Sequence, residues 1–153
     1  MNRPNTFLNA LRPYMPLVVR LALGFLLVAH GLDKFETGLG NVGDAFDGWG
    51  VPVPDISAAF VAVFEVVGGI ALLIGIGTRY VAAGMIGILI GAMFFVKFEM
   101  GVLGGYETDL AYIAGLASLV ATGPGTISAD AVIGLEREAV QSNSDSHRTR
   151  VDA

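Results

Sequence analysis

Four long apolar runs alternate with polar segments along the chain, at residues 14–33, 57–77, 79–98 and 106–122. A helix needs about 20 mostly apolar residues to cross the roughly 30 Å hydrocarbon core of a bilayer. Helices are favoured over strands because an open sheet edge cannot be satisfied in lipid, and no run alternates as a barrel strand does. The pattern predicts an all-α integral membrane protein built as a four-helix bundle.

The first run follows two arginines, as a secretory signal would. It is long, contains Arg20 and lacks a convincing small-residue cleavage site, so we expect a retained span. The predicted organisation is a cytoplasmic segment at 1–12, a transmembrane domain at 13–125, a short interfacial helix at 126–140 that begins near Ser128 or Asp130, and a disordered polar tail at 141–153.

Basic residues predict the orientation of the spans. One side of the membrane would receive Arg3, Arg12, Arg79, Arg137, Arg148 and Arg150. The other side would receive only Lys34 and Lys97, while Arg20 lies within a span. Since cytoplasmic loops carry an excess of Lys and Arg, both termini are predicted to be cytoplasmic.

Small residues at helical spacing predict the faces on which the helices pack, because helices in lipid associate through close backbone approach. The predicted faces are Arg20, Gly24, Leu27, Gly31 and Lys34 in the first span, Ala58, Ala62, Glu65, Gly69 and Leu72 beside Gly68 in the second, and Gly84, Gly87 and Gly91 in the third. The first and third spans both end in Lys-Phe-Glu, at 34–36 and 97–99. The match suggests two helical hairpins in tandem and leaves open whether a duplication produced them.

Ionisable residues within the spans are the candidate functional residues, since a charge near the bilayer centre is costly and needs a partner. Glu65 would lie near the midplane, and Arg20, His30 and Lys34 are its candidate neighbours in an inward-facing cavity. The alternative is a structural polar cluster in which Arg20 reaches the cytoplasmic headgroups and His30 faces water. Secondary candidates are Lys97, Tyr106, Glu107, Asp109 and Tyr112, several of which could instead form ordinary ion pairs at helix ends.

The segment between the first two spans is predicted to be a long acidic loop on the outer side. Trp49 and Phe46 within it suit the interfacial aromatic belt better than ligand contact. Asp55 or Ser57 is expected to cap the start of the second span.

Composition narrows the possible chemistry. The chain is 54% hydrophobic and 15% charged, with a mean hydropathy of +0.66, which is typical of a membrane protein. Because it contains no cysteine, thiolate catalysis and iron–sulfur ligation by this chain are excluded. Its second histidine, His147, lies in the polar tail, so a bis-histidine haem is not expected. No metal site is predicted, and the net charge of −5 offers no basic patch for nucleic acid.

Three segments together resemble the DoxX family of small four-helix membrane proteins: RLALGFLLVAHGLDKF, FEVVGGIALLIGIGTRYVAAG and GGYETDLAYIAGLASLVATGPGTISAD. The resemblance covers about residues 18–130. It implies a multi-pass protein of a prokaryotic plasma membrane, related to the DoxD subunit of a thiosulfate:quinone oxidoreductase. Some members of the family are associated with membrane redox assemblies and quinone detoxification.

Three functions stay open on the sequence. The first is an accessory subunit of a membrane redox system that contacts a quinone, with Arg20, His30 or Lys34 donating to its carbonyl oxygens and Glu65 holding or exchanging a proton. The second is a small solute or proton carrier, and the third is a structural scaffold of a membrane complex. In each case the chain would not be a self-sufficient redox enzyme, because it lacks electron-carrying groups of its own.

Overall fold

A computed structural model of the protein describes residues 11–134, and every regular element in that range is helical. The predicted N-terminal segment therefore lies mostly outside the described residues, as do the polar tail and the end of the predicted interfacial helix. The helices are α1 (Met15–Thr37), α2 (Leu39–Gly48), α3 (Pro54–Ile74), α4 (Thr78–Ala92), α5 (Glu107–Thr122) and α6 (Ala129–Ile133). A 3-10 turn at Arg12–Tyr14 precedes α1.

The four long helices form an up-and-down bundle. Helix α1 packs mainly on α3, α3 packs also on α4, α4 packs on α5, and α5 returns to α1. Three stretches are long and apolar enough to cross a membrane, namely Arg12–Thr37, Pro54–Ile74 and Thr78–Lys97. Helix α5 has 16 residues and is about 24 Å long at 1.5 Å per residue, so its role as a fourth span stays a prediction.

Large apolar side chains cover the outside of the bundle. Phe25 on α1 is 67% exposed, and Val67 on α3 is 60% exposed. In water such a surface would be unfavourable, whereas lipid tails solvate it. The all-α membrane bundle predicted from the pattern of apolar runs is confirmed.

Helices α1 and α3 approach closely at glycines on the predicted faces. A Cβ atom built on Gly24 would lie 2.8 Å from the carbonyl oxygen of Gly69, and one on Gly69 would lie 2.8 Å from that of Gly24. Further along, a Cβ on Gly31 would lie 2.9 Å from the carbonyl oxygen of Ala62. Only glycine permits this backbone approach, which is how small residues hold helices together in lipid.

Helix α4 packs differently from the prediction. Its buried residues are Thr78, Ala82 and Met85, and Met85 lies near Gly68 of α3. The ring of Phe64 packs on Gly84, but a Cβ on Gly87 or Gly91 would meet no atom within 4 Å among the described residues. The part of the chain that the structure describes therefore does not form the expected Gly87–Gly91 contact.

The segment predicted as an outer loop contains a helix. Helix α2 follows α1 after Gly38, a residue with φ +90°, and packs on α3. Gly43 allows the contact, since a Cβ there would collide with the Asp55 carboxylate. The sequence showed no helical spacing of apolar residues here, because glycines and aspartates, which are poor helix formers, separate them.

The predicted cap of the second span is wrong. Helix α3 begins after Val53, which has a left-handed backbone, and no side chain caps it. The Ser57 hydroxyl instead donates to the carbonyl oxygen of Pro52 at 2.6 Å. Ser128, near which this last helix was predicted to begin, caps α6, because its Oγ accepts a hydrogen bond from the backbone N–H of Ala131 at 3.1 Å.

Candidate ligand cavity between two ion pairs

A cavity of about 620 Å³ opens at the end of the bundle that carries Lys34, which we call the Lys34 end. Helices α1, α2, α3 and α5 line it together with the last turns of α4 and the segment after it. Its apolar lining includes Leu27, Phe46, Trp49, Phe60, Val61, Ile88, Leu89, Ala92 and Phe95, and its polar lining includes His30, Lys34, Ser57, Glu65, Lys97, Asp109 and Tyr112. Most of the wall is thus apolar, with ionisable groups at a few points.

The first ion pair joins α1 to α3. The ammonium nitrogen of Lys34 lies 2.6 Å from Oε2 of Glu65 and also donates to the carbonyl oxygen of His30 at 3.4 Å. The side chains of Lys34 and Glu65 are 21% and 10% exposed. A carboxylate removed from water to this extent needs a partner, and Lys34 provides it from one face of α1.

The second ion pair joins the end of the third span to α5. The ammonium of Lys97 lies 3.0 Å from Oδ1 and 2.8 Å from Oδ2 of Asp109, which is only 4% exposed. Only the contact with Oδ1 has hydrogen-bond geometry, so the second oxygen is held by charge alone. Together the two pairs place two positive and two negative groups around one cavity, which is electrically balanced.

An aromatic contact closes the cavity between α1 and α5. The rings of His30 and Tyr112 lie with centroids 6.1 Å apart and planes at 70°, an edge-to-face arrangement. His30 precedes Lys34 by one turn of α1, and Tyr112 follows Asp109 by one turn of α5. Each ion pair therefore has an aromatic, hydrogen-bonding neighbour one turn deeper in the bundle.

Helix α2 supplies an aromatic wall. Phe46 and Trp49 line the cavity, and their ring centroids are 6.1 Å apart. Trp49 was expected to serve as an interfacial anchor, and its position allows contact with a ligand as well. It is the only tryptophan of the chain, so its fluorescence reports on this cavity.

Arg20 does not belong to the cavity, contrary to the prediction. Its guanidinium donates to the carbonyl oxygens of Leu72 at 2.8 Å and Leu73 at 3.2 Å, and to those of Pro124 and Ile127. Only 1% of the residue is exposed, so it neither reaches the headgroups nor pairs with Glu65. The last carbonyls of a helix have few backbone donors. That of Leu72 also accepts from the N–H of Gly75 at 3.2 Å, and the arginine adds a charged donor to it and to that of Leu73.

Asp130 completes this second polar cluster, which we call the Arg20 clamp. Its carboxylate accepts hydrogen bonds from the backbone N–H groups of Gly77 at 2.9 Å and Thr78 at 3.2 Å. Its own N–H donates to the carbonyl oxygen of Gly75 at 3.0 Å. The clamp fixes the turn between α3 and α4 to the segment after α5 and so closes that end of the bundle.

The structure thus divides the predicted site residues. His30, Lys34, Glu65, Lys97, Asp109 and Tyr112 come together at the cavity, while Arg20, Tyr106 and Glu107 do not line it. Glu107 is exposed and accepts a hydrogen bond from the N–H of Gly104 at 3.2 Å. The repeated Lys-Phe-Glu was the sequence signal that could have grouped the two lysines, because each hairpin pairs its lysine with a carboxylate on its second helix.

A second, more open depression of about 960 Å³ lies at the end of the bundle that carries the Arg20 clamp. Its lining includes Arg12, Pro16 and Val19 from the 3-10 turn and α1, and Thr122 and Gly134 from the ends of α5 and α6. Arg12 is its single charged lining residue among those that the structure describes. It lacks the paired ionisable groups of the cavity at the Lys34 end.

Comparison with known proteins agrees with this architecture. The model of the DoxX family matches residues 15–98, which is more than half of the chain. A Bacillus subtilis (strain 168) protein named "Putative oxidoreductase CatD" is 30% identical over 114 residues, which cover 74% of this chain and 83% of that protein. A Mycobacterium tuberculosis (strain ATCC 25618 / H37Rv) protein named "Uncharacterized membrane protein Rv3486" is 29% identical over 140 residues, covering 80% of this chain and 83% of that protein. No solved structure matches significantly. The chain belongs to the DoxX family of membrane proteins.

Proposed function

We propose that the cavity at the Lys34 end binds the ring of a quinone, and that the protein is a quinone-contacting subunit of a membrane redox system. The observation that carries the proposal is the Lys34–Glu65 pair, which is largely withdrawn from water and lies in the wall of an otherwise apolar cavity. Desolvation makes an ion pair in such a place costly in free energy. Ionisable groups within a membrane therefore indicate a functional site.

The size and lining of the cavity suit a ring of this kind. Ligand cavities for small molecules measure about 300–1,000 Å³ and combine apolar walls with a few placed polar groups. At about 620 Å³ the cavity falls in this range. Phe46, Trp49 and Phe60 can pack against a flat ring, since aromatic faces favour offset-stacked and edge-to-face contacts.

The polar groups match the two forms of such a ligand. An ammonium has three N–H donors, and Lys34 directs two of them to Glu65 and to the carbonyl oxygen of His30. The third can donate to a carbonyl oxygen of a quinone. Glu65, with only one of its lone pairs needed for Lys34, can accept a hydrogen bond from a quinol hydroxyl.

Quinone reduction consumes protons as well as electrons, so a site for it needs groups that hold protons. Lys34, Glu65, His30 and Tyr112 are such groups and lie along the same cavity. The electrons would come from a partner, because the chain has no cysteine to carry them. The oxidoreductase named among the relatives supports a redox role at this coarser level.

The two alternatives make different demands on the structure. A carrier needs a route from the cavity to the opposite side, but the Arg20 clamp closes that end with buried polar contacts. A pure scaffold needs no cavity. The geometry therefore favours a bound ligand over either alternative.

The test is whether quinone accompanies the protein out of a membrane. The full-length chain is expressed in a quinone-containing bacterial membrane, purified in mild detergent, and its extract is analysed by mass spectrometry. We expect up to one quinone per chain in the wild type and a clear loss in the double variant Lys34→Met with Glu65→Gln, which removes the donor to the quinone carbonyl without leaving its charged partner alone. Glu36→Gln is the matched control, because Glu36 is exposed on α1 at the same end.

A quinone content no higher than that of an unrelated membrane protein purified in parallel would contradict the proposal. Equal quinone contents in the wild type and in this double variant would show that the quinone does not bind at the Lys34–Glu65 pair.

A further inference from the structure

The cavity is lined by two ion pairs, which is more than one carbonyl oxygen needs. The Lys34–Glu65 pair belongs to α1 and α3, whereas the Lys97–Asp109 pair belongs to the end of the third span and α5. In the bundle, α1 and α3 are neighbours, and α4 and α5 are neighbours on the other side. The two pairs therefore line the same cavity from two different pairs of helices.

A deformation of the third span delivers Lys97 to the cavity. In an uninterrupted α-helix, Lys97 would lie five residues after Ala92 and roughly 140° around the helix axis from it. The chain instead makes a π-helical turn at Met93–Lys97, in which hydrogen bonds join residues five apart and the fifth residue returns close to the direction of the first. Both Ala92 and Lys97 accordingly line the cavity.

The pair joins a partly exposed lysine, whose side chain is 32% exposed, to a buried carboxylate. Asp109 is 4% exposed, and it lies one turn from Tyr112, which closes the cavity against His30. Lys97 retains N–H donors beyond the one that bonds Oδ1 of Asp109. Asp109 holds the ammonium in place, and the ammonium can donate into the cavity.

We infer that the ligand carries oxygen acceptors at two opposite edges of its ring, and that Lys97, held by Asp109, binds the second of them while Lys34 binds the first. The inference rests on the proposed quinone site and adds its specificity: a ring with two carbonyl oxygens is preferred over the same skeleton with one. Lys97 is a binding residue in this arrangement, and Asp109 is a positioning residue.

The test compares two ligands on the purified full-length protein in detergent micelles. The first is a naphthoquinone methylated at both free positions of its quinone ring, so that lysine cannot add to it. The second is alpha-tetralone, which has a similar bicyclic skeleton and one carbonyl. Quenching of Trp49 fluorescence measures quinone binding, with N-acetyltryptophanamide in the same micelles as the control for absorption and partitioning. Displacement of the quinone measures tetralone binding.

The informative variant is Lys97→Met combined with Asp109→Asn, which removes the pair without leaving a buried charge alone. We expect its affinity for the quinone to fall about tenfold, the effect of losing one hydrogen bond to a charged donor. Its affinity for tetralone should fall at most about twofold, because one carbonyl can still bind at Lys34 and only one of two orientations is lost. Glu36→Gln should change neither affinity.

If the affinities for both ligands fall equally, or if neither falls, the inference about Lys97 is refuted. The proposed quinone site itself would still stand. Failure of the wild type to bind the quinone would overturn the proposed function as well. If the double variant does not yield monodisperse helical protein, Lys97→Gln takes its place, since its amide can still donate to Asp109. The same preferential loss of quinone affinity is expected, and its absence would again refute the role of Lys97.

Discussion

Replacement of Arg20 by methionine tests whether the Arg20 clamp holds the bundle together. Methionine is similar in length and apolar, so it occupies much of the space of the arginine stem but donates no hydrogen bond. The guanidinium bonds four carbonyl oxygens that belong to two segments far apart in sequence, the end of α3 and the loop after α5. Arg20→Met therefore removes one of the two links between these segments, the other being Asp130, and leaves buried carbonyl groups without their charged donor.

The magnitude follows from those contacts. A hydrogen bond to a charged group contributes about 1.5–3 kcal/mol, but four bonds that share one guanidinium are not additive. Removing one member of a buried charged network costs about 3–5 kcal/mol, and we expect Arg20→Met to lower the free energy of unfolding by about 4 kcal/mol. Arg20→Lys should lose about half as much, because an ammonium has three donors and cannot span acceptors arranged around a planar fork.

The assay is unfolding by sodium dodecyl sulfate in mixed micelles, followed by far-ultraviolet circular dichroism. Arg12→Met is the matched control, because Arg12 is exposed and the chemical change is the same. Its effect should stay within about 0.5 kcal/mol. A loss below about 1 kcal/mol in Arg20→Met would refute the reasoning, since four satisfied carbonyls could not then depend on this side chain.

Three further outcomes are expected. Gly31→Ala should lower the free energy of unfolding by more than about 1 kcal/mol, because its Cβ would press on the backbone of α3. Gly87→Ala has open space around its Cβ and should be neutral or stabilise α4. Similar effects of the two variants in the same micelle assay would contradict the packing. A double-mutant cycle of Lys34→Met and Glu65→Gln should give a coupling energy of about 1–3 kcal/mol, and additive losses would contradict the ion pair. Because the chain has no cysteine, Asn41→Cys can report orientation; a membrane-impermeant maleimide should label it on intact cells, and labelling only after permeabilisation would reverse the predicted topology.

The helices and their inner faces follow from local rules, which explains why the sequence predicted them. Apolar runs of membrane-spanning length and small residues at helical spacing depend only on residues within one helix. Gly24, Gly31 and Gly69 accordingly lie at the α1–α3 contact. The Gly87–Gly91 spacing satisfies the same rule, but no atom among residues 11–134 packs on either glycine, because spacing does not state which neighbour is present.

The partners of the charged residues could not be predicted in the same way. The partners of Arg20 lie 52 to 107 residues away, so its contacts depend on how the two ends of α3 and α5 meet. Arg20, His30 and Lys34 were all candidate neighbours of Glu65, and the structure pairs it with Lys34. Among the predicted candidates, His30, Lys34 and Glu65 line the cavity, whereas Arg20, Tyr106 and Glu107 do not.

Lys97 shows a second limit of sequence reasoning. Its position depends on the π-helical turn at Met93–Lys97, which has no reliable signature in a single sequence. Reading the third span as a regular α-helix turns this lysine away from the bundle. An ordinary ion pair at a helix end was therefore a reasonable alternative, and the burial of Asp109 argues against it.

Photoaffinity labelling with an azido-substituted quinone tests most directly where the ring binds. After irradiation of the purified protein, mass spectrometry of its peptides identifies the labelled residues. Labelling should concentrate on residues that line the cavity at the Lys34 end, such as Trp49, Phe60 and Phe95, and should fall when unlabelled quinone competes. Labelling confined to the depression beside Arg12 and Thr122, or unchanged by competition, would contradict a quinone site between the two ion pairs.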